Sequence, residues 1–237
     1  MESARKKIVI LTGAGISAES GLGTFRDKGG LWDEYDINDV ATPEAWHKNP
    51  ELVLEFYNRR RELAVNARPN AAHTALVKLE NYFDVEIITQ NIDDLHERAG
   101  SSKVLHLHGE ILKARSVEDD ETTFHIGHKK IKLGDKAPDG HQMRPHVVWF
   151  GEPVPRMYDA EDIARLADVF IVIGTSLNVY PAANLVYVCP TAASKYIIDL
   201  NDLTNIKYKN LKHLKGKASE QVPLLVEKLI QDSKSTK

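Results

Sequence analysis

The sequence predicts an α/β fold: a parallel β-sheet with helices on both faces, plus a small inserted module. Two observations predict it. Four short apolar runs, Lys7–Thr12, Phe83–Thr89, Asp168–Ile173 and Lys195–Leu200, are separated by segments of helical character, and strands that alternate with helices build parallel sheets. Three of the four runs pass directly into glycine-rich or polar segments, at Gly13, Gln90 and Gly174, and Asn201 follows the fourth. Ligands of such sheets bind beyond the carboxyl ends of the strands, so this coincidence of position points to one crevice.

The elements follow in order. The first run, KIVILT, is nearly all apolar, as a strand covered on both faces should be. Asn49-Pro50 is a helix start, with Asn able to cap and Pro at the first turn. Leu52, Phe56 and Leu63 then recur at helical spacing up to about Asn66. Pro69-Asn70 opens another helix, with Ala72, Leu76 and Leu79 on one face. The second strand comes next, then a short β-like run from Val104 to Leu107. From about Ile111 to Arg144 the chain is polar, charged and turn-rich, and it reads as an insertion. Glu161 to Ala167 is a short helix before the third strand, Pro223 to Ile230 is the final helix, and Ser233 to Lys237 is a frayed tail.

The chain has 237 residues, enough for one large domain or one domain with a smaller insertion. Apolar residues make up 42%, and the net charge is −3, so nothing marks the whole chain as a nucleic-acid binder. No apolar run approaches a membrane span. Met-Glu-Ser-Ala-Arg-Lys-Lys leads straight into a strand without a signal-peptide core, so the expected location is the cytoplasm. The single cysteine, Cys189, excludes an internal disulfide and any four-cysteine zinc site. Its setting, VYVCP, is that of a small buried hydrophobe.

Four segments carry chemistry. Gly13-Ala14-Gly15-Ile16-Ser17-Ala18 follows the first strand as G-x-G-x-x-A. Glycines there let backbone N–H groups approach a phosphate, although a strand-to-helix turn also asks for glycine. The acidic residue that would close a dehydrogenase fingerprint is not evident. Thr24-Phe25-Arg26-Asp27 lies in a glycine-rich stretch that reads either as a mobile lid or as a solvated loop. Gln90-Asn91-Ile92-Asp93 begins where an apolar strand ends, and its Asn and Asp suit either an amide and a sugar or a helix cap. His106 and His108 alternate and so share a strand face. A lone histidine is more often structural, but a neutral one beside a ribose has the right pKa for a base near pH 7. Together the segments indicate that NAD is consumed as an electrophile and does not carry hydride.

These segments resemble the sirtuins, the NAD-dependent protein lysine deacylases. The resemblance rests on GAGIS-AESGLGTFRD-KGGLW (Gly13 to Trp32), QNID, the HG of LHGE, RPHVVWFGE (Arg144 to Glu152), GTSLNVYPAA and IDLN, an ordered set covering nearly the whole chain. It implies a Rossmann-type large domain, about 1–30, 68–110 and 145–237, with small-domain insertions at about 31–67 (helical) and 111–144. It implies that Gly13, Ala14, Gly15 and Ser17 bind NAD together with Phe25 and Arg26. Gln90, Asn91, Ile92 and Asp93 would surround the nicotinamide and its ribose, with His108 as the base and Asn91 beside it in catalysis. Gly174, Thr175 and Ser176 would contact the adenosine side, Asn201 its ribose, and the backbone of Ala218 the adenine. The segment Val148 to Glu152, with Val148, Phe150, Gly151 and Glu152 at the substrate, and the loop Asn178, Val179 and Tyr180 would flank an extended acyl-lysine peptide through main-chain pairing. The implied reaction is a transfer: the acyl group passes from lysine to ADP-ribose, and nicotinamide is released.

Two departures from the family pattern matter. Sirtuins usually place two cysteine pairs between HG and RPxVV to bind zinc, and this chain has none there. His125, His128 and His141 are too scattered for a closed zinc site, so no zinc is expected. Phe124, Ile126 and Ile131 are expected to hold the module as a small β-layer against the large domain. The second departure concerns substrate. Ala41 precedes the helix that carries Tyr57 and Arg60, and residues three apart share a helix face. The resemblance here is to the sirtuins that prefer succinyl-, malonyl- or glutaryl-lysine, in which a small Ala makes room and Tyr plus Arg hold the distal carboxylate; an arginine fork fits a carboxylate well. The bland alternative is that Arg59-Arg60-Arg61 is a solvated basic face, and two of the three are expected to be solvated. Mono-ADP-ribosyl transfer and a non-enzymatic NAD sensor are the rival functions. A monomer that binds neither nucleic acid nor membrane is expected.

Overall fold

The structure, a computed structural model, describes residues 5–24, 34–177, 179–201 and 210–235. Strand β1 (Lys7–Thr12) leads into the one-turn helix α1 (Gly15–Ala18). Four helices follow, α2 (Ile37–Val40), α3 (Pro43–Lys48), α4 (Pro50–Asn66) and α5 (Ala71–Leu79). Then come β2 (Asp84–Thr89), α6 (Leu95–Ala99) and β3 (Val104–His106). A second sheet is built from β4 (Gly109–Ser116), β5 (Thr123–His125) and β6 (Met143–Val147). The chain ends with α7 (Met157–Arg165), β7 (Val169–Ile173), α8 (Leu185–Val188), β8 (Ser194–Asp199), β9 (Leu211–Lys215) and α9 (Ala218–Ser235).

The large sheet runs β3-β2-β1-β7-β8-β9, and every neighbouring pair is parallel. The order reverses between β1 and β7, which makes the carboxyl ends of those two strands the switch point where ligands of such sheets bind. Strand alternation sorts the core into two layers. Ile8 and Ile10 of β1 face α5 and α9, with Leu76, Leu79, Val222 and Val226. Val9 and Leu11 face the other way, among Ala160, Ala164, Leu185 and Val186. Both faces are therefore covered, which is why the strands read as unbroken apolar runs.

Several sequence expectations are revised. The sheet has six strands where the apolar runs predict four plus a β-like run. The sixth, β9 (LKHLK), is an edge strand whose lysines point to solvent, so it carries no apolar signature. The last helix starts at Ala218, five residues before Pro223, which lies inside the helix. The expected frayed tail is helical as far as Ser235. The short helix before β7 starts earlier than expected, at Met157. Among the described residues no helix is long and apolar enough to cross a membrane.

The small sheet has the order β5-β4-β6 and is antiparallel. Its core is Ala114 and Ile131 against Leu54 of α4, with Phe124, Ile126, Met143 and Trp46 packed on it. Phe124, Ile126 and Ile131 thus come together as expected, but they lean on the helices of the first insertion and not on the large sheet. Gly109 makes the transition from one sheet to the other. It has a φ of 80°, and a Cβ there would stand 2.2 Å from the His146 carbonyl oxygen, so only glycine fits beside His108.

Beneath the switch point two histidines are buried together. The rings of His73 and His96 are 4.9 Å apart. His96 Nε2 lies 3.1 Å from the Thr12 hydroxyl, and His73 Nδ1 accepts the Asn70 amide to close the cap of α5. Burial drives His73 down to about 4 and His96 well below the ordinary range. Both are therefore neutral in the folded protein, while the unfolded chain takes up protons below about pH 6.5. Stability should fall as the pH drops from 6.5 towards 4, by roughly 3 kcal/mol for His73 alone. Urea unfolding at steps between pH 7.5 and 4.5 checks this. His73→Gln keeps a capping side chain at the third helical position and should flatten the curve; an unchanged curve in that variant would assign the acid sensitivity elsewhere.

Candidate active site

A cavity of about 810 Å³ opens at the switch point, within the range of small-molecule sites. The turns after β1 and β7 form one wall, with Gly13, Ala14 and Gly15 on one strand end and Gly174, Thr175 and Ser176 on the other. The two turns interlock. Gly13 N–H donates to Ile173 O at 3.0 Å and Gly15 N–H to Gly174 O at 2.9 Å. A Cβ on Gly15 would come within 2.6 Å of Gly174 Cα. These glycines secure the close approach of two strand ends, and their own N–H groups are already engaged.

Asn201 and Ala218 also line the cavity. Asn201 is fixed by Asp199, whose carboxylate accepts both its backbone N–H (2.8 Å) and its side-chain amide (3.0 Å). Phe25, Arg26 and Asn178 lie outside the described residues.

The segment after β2 divides between wall and backing. Gln90, Asn91 and Ile92 line the cavity. Ser17 and Asp93 are buried behind it. Ser17 donates to Asp93 Oδ2 at 3.1 Å, and Asn91 Nδ2 donates to Gly13 O and Ser17 Oγ, each at 3.2 Å. The two motifs are thus locked together from within, with Asp93 holding Ser17 and Ser17 helping to aim Asn91. Burial pushes the Asp93 carboxyl upward, against the Leu95 amide, the Ser17 hydroxyl and the charge of Arg60.

The two alternating histidines have different parts. His106 points one nitrogen at Asn91 O (3.0 Å) and the other at Glu97 Oε1 (2.8 Å). Burial works against its charge, but the Glu97 carboxylate prevails and raises its pKa. His108 lines the cavity, and its Nδ1 lies 2.9 Å from Gln90 O. A carbonyl only accepts, so Nδ1 carries the proton and Nε2 keeps its lone pair. Burial lowers the His108 pKa below the usual 6.5, outweighing the Gln90 bond. The ring is therefore neutral at pH 7, held in one tautomer and available as a base.

The opposite wall is built by α4 and its surroundings. Ala41, Tyr57 and Arg60 all line the same cavity as His108. Tyr57 is 2% exposed and Arg60 8%, so Arg60 is not part of a solvated face; Arg61 is buried as well, which leaves Arg59 as the one solvated arginine of the three where two were expected. Burial raises the Tyr57 hydroxyl and lowers the Arg60 guanidinium, which Asp93 and Tyr57 counteract. Among the described residues the Arg60 guanidinium donates to Gly23 O at 3.3 Å.

Val148, Phe150, Gly151 and Glu152 form a rim of the cavity, and Val179 stands on it as well. This rim is braced from the small sheet. Arg144 of β6 grips Glu152 with both terminal nitrogens (2.8 and 3.2 Å) and lies over the Trp149 ring at 3.3 Å. Glu152 also accepts the Trp149 amide at 2.7 Å. Trp149, within the predicted Val148–Glu152 segment, lines the cavity too, whereas sequence reasoning missed Ile37 and Glu19, which also line it. Glu19 carried a readable signal in its position beside the glycine turn. It accepts both the N–H and the hydroxyl of Ser219, at 3.0 and 2.7 Å, and so ties α1 to the start of α9.

The Sir2 family profile matches residues 13–181. A protein from Bacteroides thetaiotaomicron named NAD-dependent protein deacylase is 49% identical over 95% of this chain and 98% of its own length. A Helicobacter pylori protein of the same name is also 49% identical, over 95% of this chain and 96% of its own. Among solved structures, a Sir2 homologue in complex with NAD superposes with a TM-score of 0.86 at 39% identity, covering 97% of this chain and 91% of that one. By sequence and by structure, the chain belongs to the Sir2 family.

Proposed function

We propose that this chain is an NAD-dependent protein-lysine deacylase that prefers succinyl- and malonyl-lysine to acetyl-lysine. One observation carries the reading: Ala41, Tyr57 and Arg60 share a single cavity with His108 and with the glycine turns of the switch point. Relatives named NAD-dependent protein deacylase, and Sir2 homologues solved with NAD or ADP-ribose, support the NAD chemistry. The acyl preference rests on the chemistry of the wall alone. A buried guanidinium beside a buried phenol suits a carboxylate, and the small Ala41 leaves room for a longer acyl chain.

The residues divide the work as follows. Gly13, Gly15, Gly174, Thr175 and Ser176 hold the dinucleotide at the switch point, with Asn201 and Ala218 at its adenosine end. Asn91, aimed by Ser17 and Asp93, stands at the nicotinamide and its ribose. NAD supplies an electrophilic ribose carbon, from which nicotinamide leaves as the acyl oxygen of the modified lysine attacks. His108 Nε2 takes the proton from a ribose hydroxyl as that hydroxyl captures the acyl carbon. Water then completes release of lysine and O-acyl-ADP-ribose. The rim of Val148, Phe150, Gly151 and Glu152, together with Val179, would pair with the main chain of an extended peptide and so tolerate many sequences. A Sir2 variant solved with a deacetylated peptide and an O-acetyl ADP-ribose, at 32% identity and a TM-score of 0.78, supports a peptide substrate.

The test is mass spectrometry of one lysine peptide, succinylated or acetylated, incubated with the protein and NAD. The expected result is loss of the acyl mass with release of nicotinamide, at a higher kcat/KM for the succinyl peptide. Faster acetyl removal would sink the preference. A peptide that gains ADP-ribose would replace deacylation by ADP-ribosyl transfer.

A further inference from the structure

We propose that Asn58 and Arg61 fasten the inserted module to α4 without metal and thereby position Tyr57 and Arg60 for the acyl group. The inference rests on the reading of Tyr57 and Arg60 as acyl-binding residues. The family resemblance implies zinc in this module, but the donor set does not fit it. The chain has no cysteine between Gly109 and Arg144. Among the described residues no group of three or more His, Cys, Asp or Glu is placed to hold a metal. The module's own core is slight: Ala114 and Ile131 meet Leu54 of α4, while the buried Ile111 joins the separate cluster of Phe56 and Tyr57. A three-stranded sheet with so little apolar burial needs an added tie.

Asn58 supplies that tie. Its side-chain amide pairs with both backbone groups of Ile131: Nδ2 donates to Ile131 O at 2.8 Å, and Oδ1 accepts Ile131 N–H at 2.9 Å. This copies a rung of a β-ladder and pins the long loop between β5 and β6 at one point. Arg61 adds a second anchor. Its Nε donates to Ile111 O at 2.8 Å, in β4, and its Nη1 to Asn58 Oδ1 at 2.7 Å. One helical turn therefore holds both the first strand of the module and its longest loop.

Arg61 is the telling member. It is 1% exposed, and burial lowers its pKa to about 10. Its hydrogen bonds go to a backbone carbonyl and an amide oxygen, both neutral. A cation buried against neutral acceptors is a poor way to gain stability; what it provides is fixed geometry. Asn58 and Arg61 are each one residue on from Tyr57 and Arg60. The two pairs form adjacent stripes on α4, since residues three apart share a face. One stripe faces the cavity and the other grips the module. A roll of α4 that releases the grip also withdraws Tyr57 and Arg60 from the cavity. Asn58 and Arg61 are thus positioning residues.

The full-length chain tests this through Asn58→Ala, Arg61→Met and, alongside them, Arg60→Met. Elemental analysis of the wild type should find far less than one zinc per chain, and activity should survive a chelator. Asn58→Ala should raise KM for the succinyl peptide about tenfold, the worth of roughly one buried hydrogen bond, with kcat and KM for NAD unchanged. Stoichiometric zinc whose removal abolishes activity would overturn the proposal. So would an Asn58→Ala variant that melts earlier yet keeps its KM for the peptide while Arg60→Met loses succinyl turnover. An Arg60→Met variant indifferent to acyl type removes the acyl-pocket reading, and this proposal with it. Hydrogen exchange on the wild type guards against variants that do not fold. The Ile131 amide should be as protected as those of β4, and rapid exchange there would rule out the Asn58 pairing.

Discussion

A His108→Ala variant is expected to lose between about a hundredfold and ten-thousandfold in turnover, the range typical for removal of a positioned general base. The loss should fall on kcat, with NAD still bound, because His108 is one wall residue of a cavity held open by the interlocked turns after β1 and β7. Calorimetric titration of NAD into the variant, beside single-turnover kinetics, checks both halves. The pH profile gives a second readout. Burial holds the His108 pKa below 6.5, and the base form is the neutral one. Activity should therefore fall only on the acid side, with the limb of kcat/KM lying below pH 6.5. Turnover unaffected by the substitution would remove His108 from the mechanism. A limb above pH 7 would show that another group takes the proton.

The second large effect is expected from Arg60→Met. Removing one member of a buried, hydrogen-bonded charge pair costs about 2–5 kcal/mol, so kcat/KM for a succinyl peptide should drop about thirtyfold or more. The acetyl peptide has no distal carboxylate, and its turnover should change little. Comparing the two peptides in wild type and variant isolates the carboxylate contribution from general damage. Arg60 also sits in the field of Asp93, where its charge partly offsets the burial that raises that carboxyl. If both peptides lose activity together, Arg60 serves Asp93 and the nicotinamide end, and the acyl preference falls. If the succinyl peptide alone is lost, Tyr57 and Arg60 act as the acyl-selecting pair.

Local pattern made the frame legible. The runs KIVILT, DVEIIT, VFIVI and KYIID became the four central strands, because a strand covered on both faces is apolar for most of its length. Strand β9 escaped because an edge strand needs little apolar surface, and the early start of α9 escaped because Pro223 reads as a first-turn residue while sitting inside the helix. The segments named from sequence also converge: Gly13, Gln90, His108, Gly174, Asn201, Tyr57 and Arg60 all reach one cavity.

What the chain alone determined was the fold class, the order of the motifs and the chemical type of each side chain, since these follow from periodicity and composition over a few residues. Tertiary structure decided the rest. It put Asn91 on the wall and Asp93 and Ser17 behind it. It made His106 a partner of Glu97 and left His108 neutral, although the two are alternate residues of one segment. It turned Arg60 towards the cavity and Arg61 into the module, out of a run of three arginines. Charge state, tautomer and burial are set by groups 9, 18 or 50 residues away along the chain, as Glu97, Gln90 and Ile111 are for His106, His108 and Arg61, and no local pattern carries that information.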